Sequence, residues 1–378
     1  MTERATSLKY QRIIAKIGTN VLTAGTASLN EEVMTALVGQ IANLHARGAE
    51  VIVVTSGAIA AGRHRLGKTK GRKDIPYRQV LAAIGQTDLM EAYQDLFAKH
   101  GITIAQALLT KQDLSDRQGY LNARNTLIAL LEYRVVPIVN ENDVVGVDEI
   151  ENAKIGDNDS LSALVANLVD ADLLALLTDT GGLYTADPRL DSSAELIPEV
   201  EKIDSRIEAL AAGASTDGVG VGGMTTKVQA ARLAVGGGTH VVIASGKEPN
   251  TLVRVADGEK LGTHFPSTTD RMESRKRWML TGLSIKGDVV VDAGAAKVLR
   301  EDNRSLLAAG VENVEGSFER GDAVAIVDSA GTRIACGIAD YSSEDILRIR
   351  GVRSDKIESV LGHHYGAEVV HRDNLVLL

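Results

Sequence analysis

The chain has 378 residues and a single cysteine, with 44% hydrophobic and 24% charged residues. This composition is typical of a globular protein and excludes a disulfide scaffold or a collagen-like chain. The 41 lysines and arginines and 50 aspartates and glutamates give a net charge of −9. No global cationic field therefore draws the protein to nucleic acid or membranes. The length predicts two or three domains, each large enough to bury a core.

Cysteine content and terminal sequence indicate the compartment. Cys336 lies among Ile334, Ala335 and Ile338, which predicts a small buried side chain rather than a reactive thiol, in a reducing environment. The N-terminal residues lack the apolar stretch of a secretory signal, and no run approaches the length that spans a bilayer. We expect a cytoplasmic protein with no membrane contact.

Short apolar runs rich in β-branched residues predict strands at residues 12–17, 51–55, 103–108, 135–140, 173–178 and 240–244. Between most of them, helical patterns cover residues 28–48, 78–100, 120–133, 160–169 and 227–235. The first helix is expected to open with a capping box from Ser28 to Glu31. This alternation predicts an α/β fold: an α/β/α sandwich with a mostly parallel central sheet, whose ligands gather at the carboxyl ends of the strands.

The amino-acid composition changes near residue 263, which predicts a domain boundary. Residues 1–266 form the expected first domain, and residues 267–279 read as a linker with small polar residues and a charge cluster. Residues 280–378 consist of short, valine-rich segments separated by glycine and aspartate. They predict a small, mainly β domain.

Residues 62–69 match the phosphate-loop pattern, but their context is wrong for it. The preceding strand ends at Thr55, seven residues before Gly62, and a basic stretch with a proline follows. A phosphate loop leaves its strand directly and opens a helix, so we do not expect one here. The basic residues within 63–78 are consistent with a solvated loop and also with a mobile lid over an anionic substrate.

A second glycine motif, at residues 218–223, matches the dinucleotide-binding pattern but lacks the strand before it and the acidic residue after it. Residues 209–217 read as a loop rather than a strand, and Ile243 stands where an acidic ribose ligand is expected. What remains is a glycine-rich loop that opens a helix near Lys227. Such a loop suits an anion, although a flexible surface loop has the same composition.

Polar or small residues follow four of the predicted strands. Lys16 lies inside the end of the first strand, and Ser56, Gly57 and Ala58 form a strand-to-helix turn that suits either an anion site or a simple helix cap. The other strand ends and the helix start between them contribute amides, hydroxyls and acids: Asn140, Asp143, Asn158, Asp159, Thr178 and Asp179. Acids at a helix start are also expected for capping alone.

Two lysines from distant segments, a glycine-rich helix start and several acids together favour phosphoryl transfer, which depends on positioning and charge neutralisation. No arrangement of serine, cysteine and histidine suggests a nucleophilic triad. The histidines at positions 45, 100, 240, 363 and 364 lack an obvious set of metal ligands. We expect no protein metal site.

Six motifs resemble those of the amino acid kinase family, in order along most of residues 9–266: KIGTN, VTSGAIAAG, NENDVV, IGDNDSLSALVA, LLTDTGGLYTADPR and GGMTTKVQAA. The resemblance is to the branch that phosphorylates the side-chain carboxylate of L-glutamate with ATP, the first step towards proline. Residues from about 280 are similar to a PUA domain. There are two alternatives. One is a relative that acts on another carboxylate, and the other is an RNA-binding protein whose PUA-like tail carries the function.

The resemblance implies a role for each matching residue. Lys16 and Lys227 flank the transferring phosphoryl group, and Asp159 orients them rather than acting as a base, since a glutamate carboxylate is already ionised. The residues expected to hold glutamate are Ser56, Gly57, Ala58, Asn140, Asp143 and Asn158, with Asp143 facing the ammonium. Those expected to hold ATP are Lys16, Thr178, Asp179, Val221, Gly222, Gly223, Met224, Thr225, Thr226 and Lys227. Val221 stands where the resemblance leads us to expect threonine, and Mg²⁺ is expected on the nucleotide phosphates.

The resemblance also implies partners: inhibition by proline, a homo-oligomer (dimer or tetramer), and a reductase that takes the labile acyl phosphate. RNA is a weaker candidate. Residues 281–378 hold 11 lysines and arginines against 16 aspartates and glutamates, a net of 11 − 16 = −5. Since nucleic-acid binding depends on cationic residues, we expect a structural or regulatory tail.

Overall fold

A computed structural model describes residues 8–67, 74–115, 117–146, 157–213, 223–267, 285–302 and 304–377. The chain divides into two compact units. The first comprises Met1–Ser115 and Asn122–Arg271, and the second Asp116–Leu121 and Met272–Leu378.

The first unit is built on a seven-stranded sheet in the order β3-β4-β2-β1-β5-β6-β7. Its strands are β1 (Arg12–Ile17), β2 (Glu50–Val54), β3 (Ile104–Leu109), β4 (Val136–Glu141), β5 (Leu173–Thr178), β6 (His240–Ser245) and β7 (Thr263–Phe265). Neighbouring strands are parallel, except that β7 pairs antiparallel with β6. The six predicted strands and the mostly parallel sheet are confirmed, whereas β7 was not predicted.

The helices up to residue 256 are α1 (Thr19–Leu22), α2 (Glu31–Ala46), α3 (Ala58–Leu66), α4 (Ile75–Ala98), α5 (Lys111–Ser115), α6 (Arg117–Glu132), α7 (Asp157–Leu168), α8 (Ser205–Gly213), α9 (Met224–Gly236) and α10 (Thr251–Ala256). The five predicted helices are confirmed. The predicted cap of α2 is wrong: Asn30, not Ser28, accepts a hydrogen bond from Val33 N at 3.0 Å. The loop predicted at 209–217 is also wrong in part, because α8 extends to Gly213.

Burial explains why β1 is mostly apolar. Ile13, Ile14 and Ile17 are all fully buried, as expected for a strand covered on both faces by helices. The register pairs Lys16 with Val54 of β2 and with Leu176 of β5. Because these strands run parallel, their carboxyl ends meet at one edge of the sheet, where the predicted site residues follow them.

Two glycines bring α3 and α4 into backbone contact. A Cβ atom on Gly62 would overlap the backbone oxygen of Leu81, and one on Gly85 would overlap that of Ala58. Gly62 is the first glycine of the phosphate-loop match, and it lies inside α3. The match therefore does not form a loop at that position, and its glycine serves helix packing. Residues 68–73 of the basic stretch lie outside the described residues.

The second unit contains mainly strands, as predicted. β8 (Gly287–Val291), β10 (Val311–Gly316), β11 (Ala323–Asp328), β12 (Arg333–Ile338) and β14 (Leu375–Leu377) form a sheet in the order β10-β8-β11-β12-β14, and β9 (Leu306–Leu307) pairs with β13 (Glu368–Val370). Its helices are α11 (Ala293–Asp302), α12 (Ser343–Ile349) and α13 (Ile357–Leu361). Cys336 is buried, and burial raises the pKa of its thiol. Among the described helices, none combines the length and apolar character that crossing a membrane requires.

Candidate active site

The three predicted catalytic residues meet at the carboxyl edge of the first sheet. Asp159, in the first turn of α7, is fully buried. Lys16 Nζ lies 2.6 Å from its Oδ1, and Lys227 Nζ lies 3.3 Å from its Oδ2. Both lysine side chains are only 7% exposed. One carboxylate therefore fixes two ammonium groups that come from β1 and α9.

Further hydrogen bonds hold this carboxylate in place. The hydroxyl of Thr226 lies 2.8 Å from Asp159 Oδ2 and also 2.8 Å from the carbonyl oxygen of Gly223, so its one proton is shared between these acceptors. Ser162 Oγ donates to the Asp159 carbonyl oxygen at 2.6 Å. The first turn of α9 is thereby tied to the first turn of α7.

The electrostatics of the group follow from burial and mutual charge. Burial raises the pKa of Asp159, but the charges of Lys16 and Lys227 and the hydrogen bonds from Lys16 and Thr226 outweigh it, so that the pKa is lowered and the carboxylate is ionised. Burial is the largest effect on Lys227 and lowers its pKa; Lys16 lowers it further, while Asp159 and Asp179 oppose the shift. The two ammonium groups held by Asp159 favour anionic oxygens at this edge.

The turn after β2 is predicted either to bind an anion or to cap α3 through Ser56. The residue that caps α3 is Gly57, at φ +99°, and no side chain makes a capping hydrogen bond. The alternative of an N-capping Ser56 is therefore wrong. Thr55 is fully buried, and its hydroxyl lies 2.9 Å from that of Tyr93 in α4. This contact holds the end of β2 against α4.

The predicted acceptor-site residues Asn140, Asp143 and Asn158 are all buried. Asn140 Nδ2 donates to Gln86 Oε1 at 2.8 Å. Within the described part of the chain, the side-chain oxygens of Asn140 and Asn158 have no hydrogen-bond partner. Buried amide oxygens without partners suit a ligand that donates hydrogen bonds, such as an ammonium group. Gln86 was not predicted from the sequence.

The predicted nucleotide residues at the end of β5 are also described. Thr178 is buried and donates through its hydroxyl to Asp179 Oδ1 at 3.2 Å, while Asn20 Nδ2 donates to Asp179 Oδ2 at 3.3 Å. Burial lowers the pKa of Lys227, and the charge of Asp179 opposes that shift. The end of β5 therefore lies near the lysine that the resemblance places at the transferring phosphoryl group.

Part of the predicted glycine-rich loop is described. Gly223 caps α9, and Met224 and Thr225 are half-buried in the first turn, where Thr225 Oγ1 donates to Ala211 O at 3.2 Å. Val221 and Gly222 lie outside the described residues, as do residues 147–156 of the stretch before α7.

The donor set at this edge fits a metal carried by the nucleotide. Among the residues that the structure describes, no three histidines, cysteines, aspartates or glutamates are grouped to hold a metal ion. Mg²⁺ retains several waters and is usually bound by one or two carboxylates together with substrate phosphates. Asp179, exposed at the end of β5, is an acid that fits this mode.

Comparison with known proteins gives the family. Residues 11–245 match the model of the amino acid kinase family, and residues 287–361 match that of the PUA domain. A protein of Dehalococcoides mccartyi named glutamate 5-kinase is 54% identical over 98% of this chain and 99% of its own. Proteins of that name from Herpetosiphon aurantiacus and Shewanella oneidensis are 50% and 48% identical, over 97% and 98% of this chain and 98% and 99% of their own. The chain belongs to the amino acid kinase family and carries a C-terminal PUA domain.

Proposed function

We propose that this protein transfers the γ-phosphoryl group of ATP to the γ-carboxylate of L-glutamate, which gives L-glutamyl 5-phosphate and ADP, the first step of proline synthesis. The observation that carries the proposal is the pairing of Lys16 and Lys227 with the two oxygens of buried Asp159. Identities of 46–54% to glutamate 5-kinases over almost the whole chain support glutamate over another carboxylate as the acceptor.

The reaction needs charge neutralisation more than a base. The acceptor carboxylate is already ionised at neutral pH, so an oxygen of glutamate attacks the γ-phosphorus directly while the bond to the ADP oxygen breaks. The obstacle is repulsion between two anions. Lys16 and Lys227 offset it by binding oxygens of the transferring group, and Asp159 holds their ammonium groups in position without taking a proton.

In this proposal, the two substrates bind on separate sets of residues. Glutamate is held by Ser56, Gly57, Ala58, Asn140, Asp143 and Asn158, with Asp143 facing the ammonium. ATP is held by Thr178, Asp179 and residues 221–227, together with Lys16. When bound with ATP, Mg²⁺ neutralises phosphate charge.

The proposal also covers the compartment, the regulation and partners of the enzyme, and its domains. The protein acts in the cytoplasm, as a homo-oligomer that proline inhibits, and a reductase consumes its labile acyl phosphate. The kinase and PUA domains cover residues 1–266 and 280–378. The PUA domain is structural or regulatory, since its net charge of −5 disfavours RNA; tight RNA binding with a steep salt dependence would overturn that role.

Trapping with hydroxylamine tests the reaction. Purified protein is incubated with ATP, Mg²⁺ and L-glutamate, and separately with N-acetylglutamate and with aspartate, and hydroxamate is measured against a no-enzyme blank. We expect hydroxamate from glutamate alone, and less of it when proline is added. Product from N-acetylglutamate but not glutamate would assign the protein to a different branch of the family. No product from any acid, in folded protein that binds ATP, would refute the kinase activity.

A further inference from the structure

Gln86, which is half-buried, and Asn140, which is buried, form a pair of amides at the proposed acceptor site. Asn140 Nδ2 donates to Gln86 Oε1 at 2.8 Å. This bond occupies the amide nitrogen of Asn140 and the amide oxygen of Gln86, and it does not use Gln86 Nε2 or Asn140 Oδ1. Neither atom has a hydrogen-bond partner among the residues described by the structure, and both are buried. Because buried amides are normally satisfied, this pair presents one donor and one acceptor to a ligand.

The position of Gln86 is fixed by its neighbour. A Cβ atom on Gly85 would overlap the backbone oxygen of Ala58, so α4 lies directly against the first residue of α3. Ala58 belongs to the turn expected to bind the acceptor, and Asn140 lies near the end of β4. Gln86 therefore contacts one segment of the proposed glutamate site directly and follows the residue that packs against the other.

We propose that Gln86 determines specificity in the acceptor site: its Nε2 donates to a carboxylate oxygen of the acceptor amino acid, while its Oε1 orients Asn140. Asn140 Oδ1 then accepts a hydrogen bond from the ammonium group of the same molecule. A donor beside an acceptor matches a free amino acid, which carries both charges. This assignment rests on the proposed function and adds a residue to it.

Two substitutions separate a binding role from a structural one. Gln86→Glu keeps the oxygen that accepts from Asn140 but replaces the donor with a carboxylate oxygen, which repels the carboxylate of glutamate. Gln86→Leu removes both groups at a similar size. We expect Gln86→Leu to raise KM for glutamate by about tenfold or more, and Gln86→Glu to raise it further, while KM for ATP stays within about twofold.

The matched control is the same pair of substitutions at Gln94, an exposed residue of α4, which should leave both KM values unchanged. Wild-type kinetics for Gln86→Glu, or equal rises in both KM values, would mean that Gln86 only supports the helix, and would overturn the assignment. Wild-type protein that forms no hydroxamate from glutamate would refute the proposed function, and the role of Gln86 with it.

Discussion

Lys16 and Lys227 bind opposite oxygens of one buried carboxylate, although Lys16 lies one residue before the end of β1 and Lys227 lies in the first turn of α9. A carboxylate shared in this way sets the separation and direction of both ammonium groups before any substrate binds. Such pre-organisation is what electrostatic catalysis of phosphoryl transfer requires.

Removal of either ammonium group should therefore slow the chemical step. We expect Lys227→Ala and Lys16→Ala each to lower kcat by about 10²–10³-fold, the cost of losing one contact to developing charge. Hydroxamate formation at saturating substrates gives kcat, and Lys202→Ala, at an exposed lysine, serves as the control. Turnover of Lys227→Ala within about tenfold of wild type would contradict the role of Lys227 at the phosphoryl group.

Replacement of Asp159 by asparagine should change the pH profile as well as the rate. Burial lowers the pKa of Lys227, and the charge of Asp159 opposes that shift. Without this charge the pKa falls further, so Lys227 loses its proton at a lower pH. In Asp159→Asn we expect a lower kcat with little change in KM, and an alkaline fall of kcat that begins at lower pH than in wild type.

The measurement is kcat across neutral to alkaline pH for both proteins, with circular dichroism as a check of folding. The check is needed because breaking a buried ion pair costs about 3–5 kcal/mol of stability. If kcat of a folded variant falls at the same alkaline pH as kcat of wild type, Asp159 does not affect the pKa of Lys227. A rise in KM alone would show that it acts in binding.

The strand ends could be predicted from the sequence because they combine two local signals. Runs such as residues 12–17 and 173–178 are mostly apolar, and each is followed by polar or small residues. In a parallel sheet these ends must meet at one edge. That rule brings Lys16, Thr178 and the residues after β4 together without any knowledge of their distances.

Gln86 could not be found in this way because its role depends on a tertiary contact. It lies inside α4, where sequence periodicity gives only a helix, and it reaches Asn140 because Gly85 lets α4 touch α3. The available signal was a glycine inside a helical pattern, which costs helix stability unless something packs closely against it. The cap of α2 was also missed, because Ser28 and Asn30 are both good capping residues and only the structure shows that Asn30 accepts the hydrogen bond from Val33 N.

The contact of α3 with α4 should be sensitive to a single methyl group. Gly85→Ala places a Cβ atom against the Ala58 backbone, and we expect a loss of about 1–3 kcal/mol in the free energy of unfolding, with weaker glutamate binding as α3 shifts. Gly39→Ala is the matched control, since Gly39 lies in α2 with no atom within 4 Å of an added Cβ. It should gain about 0.5–1 kcal/mol, the difference in helix propensity. Equal stability of the two variants in urea denaturation would rule out tight contact between the helices.

Asp340 predicts a pH-dependent stability in the second unit. The carboxyl group is buried, and its Oδ1 has no hydrogen-bond partner within the described ranges. Burial raises its pKa from 3.8 to about 7, against the charge of Arg320 and a backbone hydrogen bond from His371, with a further rise from Glu368. As pH rises from about 4 to about 7, the unfolded chain releases this proton while the folded protein retains it, so the free energy of unfolding falls across that window.

Asp340→Asn removes the titration and keeps the shape. We expect it to raise the melting temperature above that of wild type at pH 8. The free energy of unfolding should rise by at most about 4 kcal/mol at that pH, and this gain should shrink towards pH 4. Asp328→Asn is a control in which we expect the opposite effect on stability. Hydrogen bonds, of which that from Thr332 N has the largest effect, lower the pKa of Asp328, so loss of its charge should decrease the free energy of unfolding at pH 8. Scanning calorimetry of the three proteins at pH 4, 6 and 8 gives the comparison. A gain for Asp340→Asn that is the same at pH 4 and pH 8 would show that its carboxyl group does not titrate in this range.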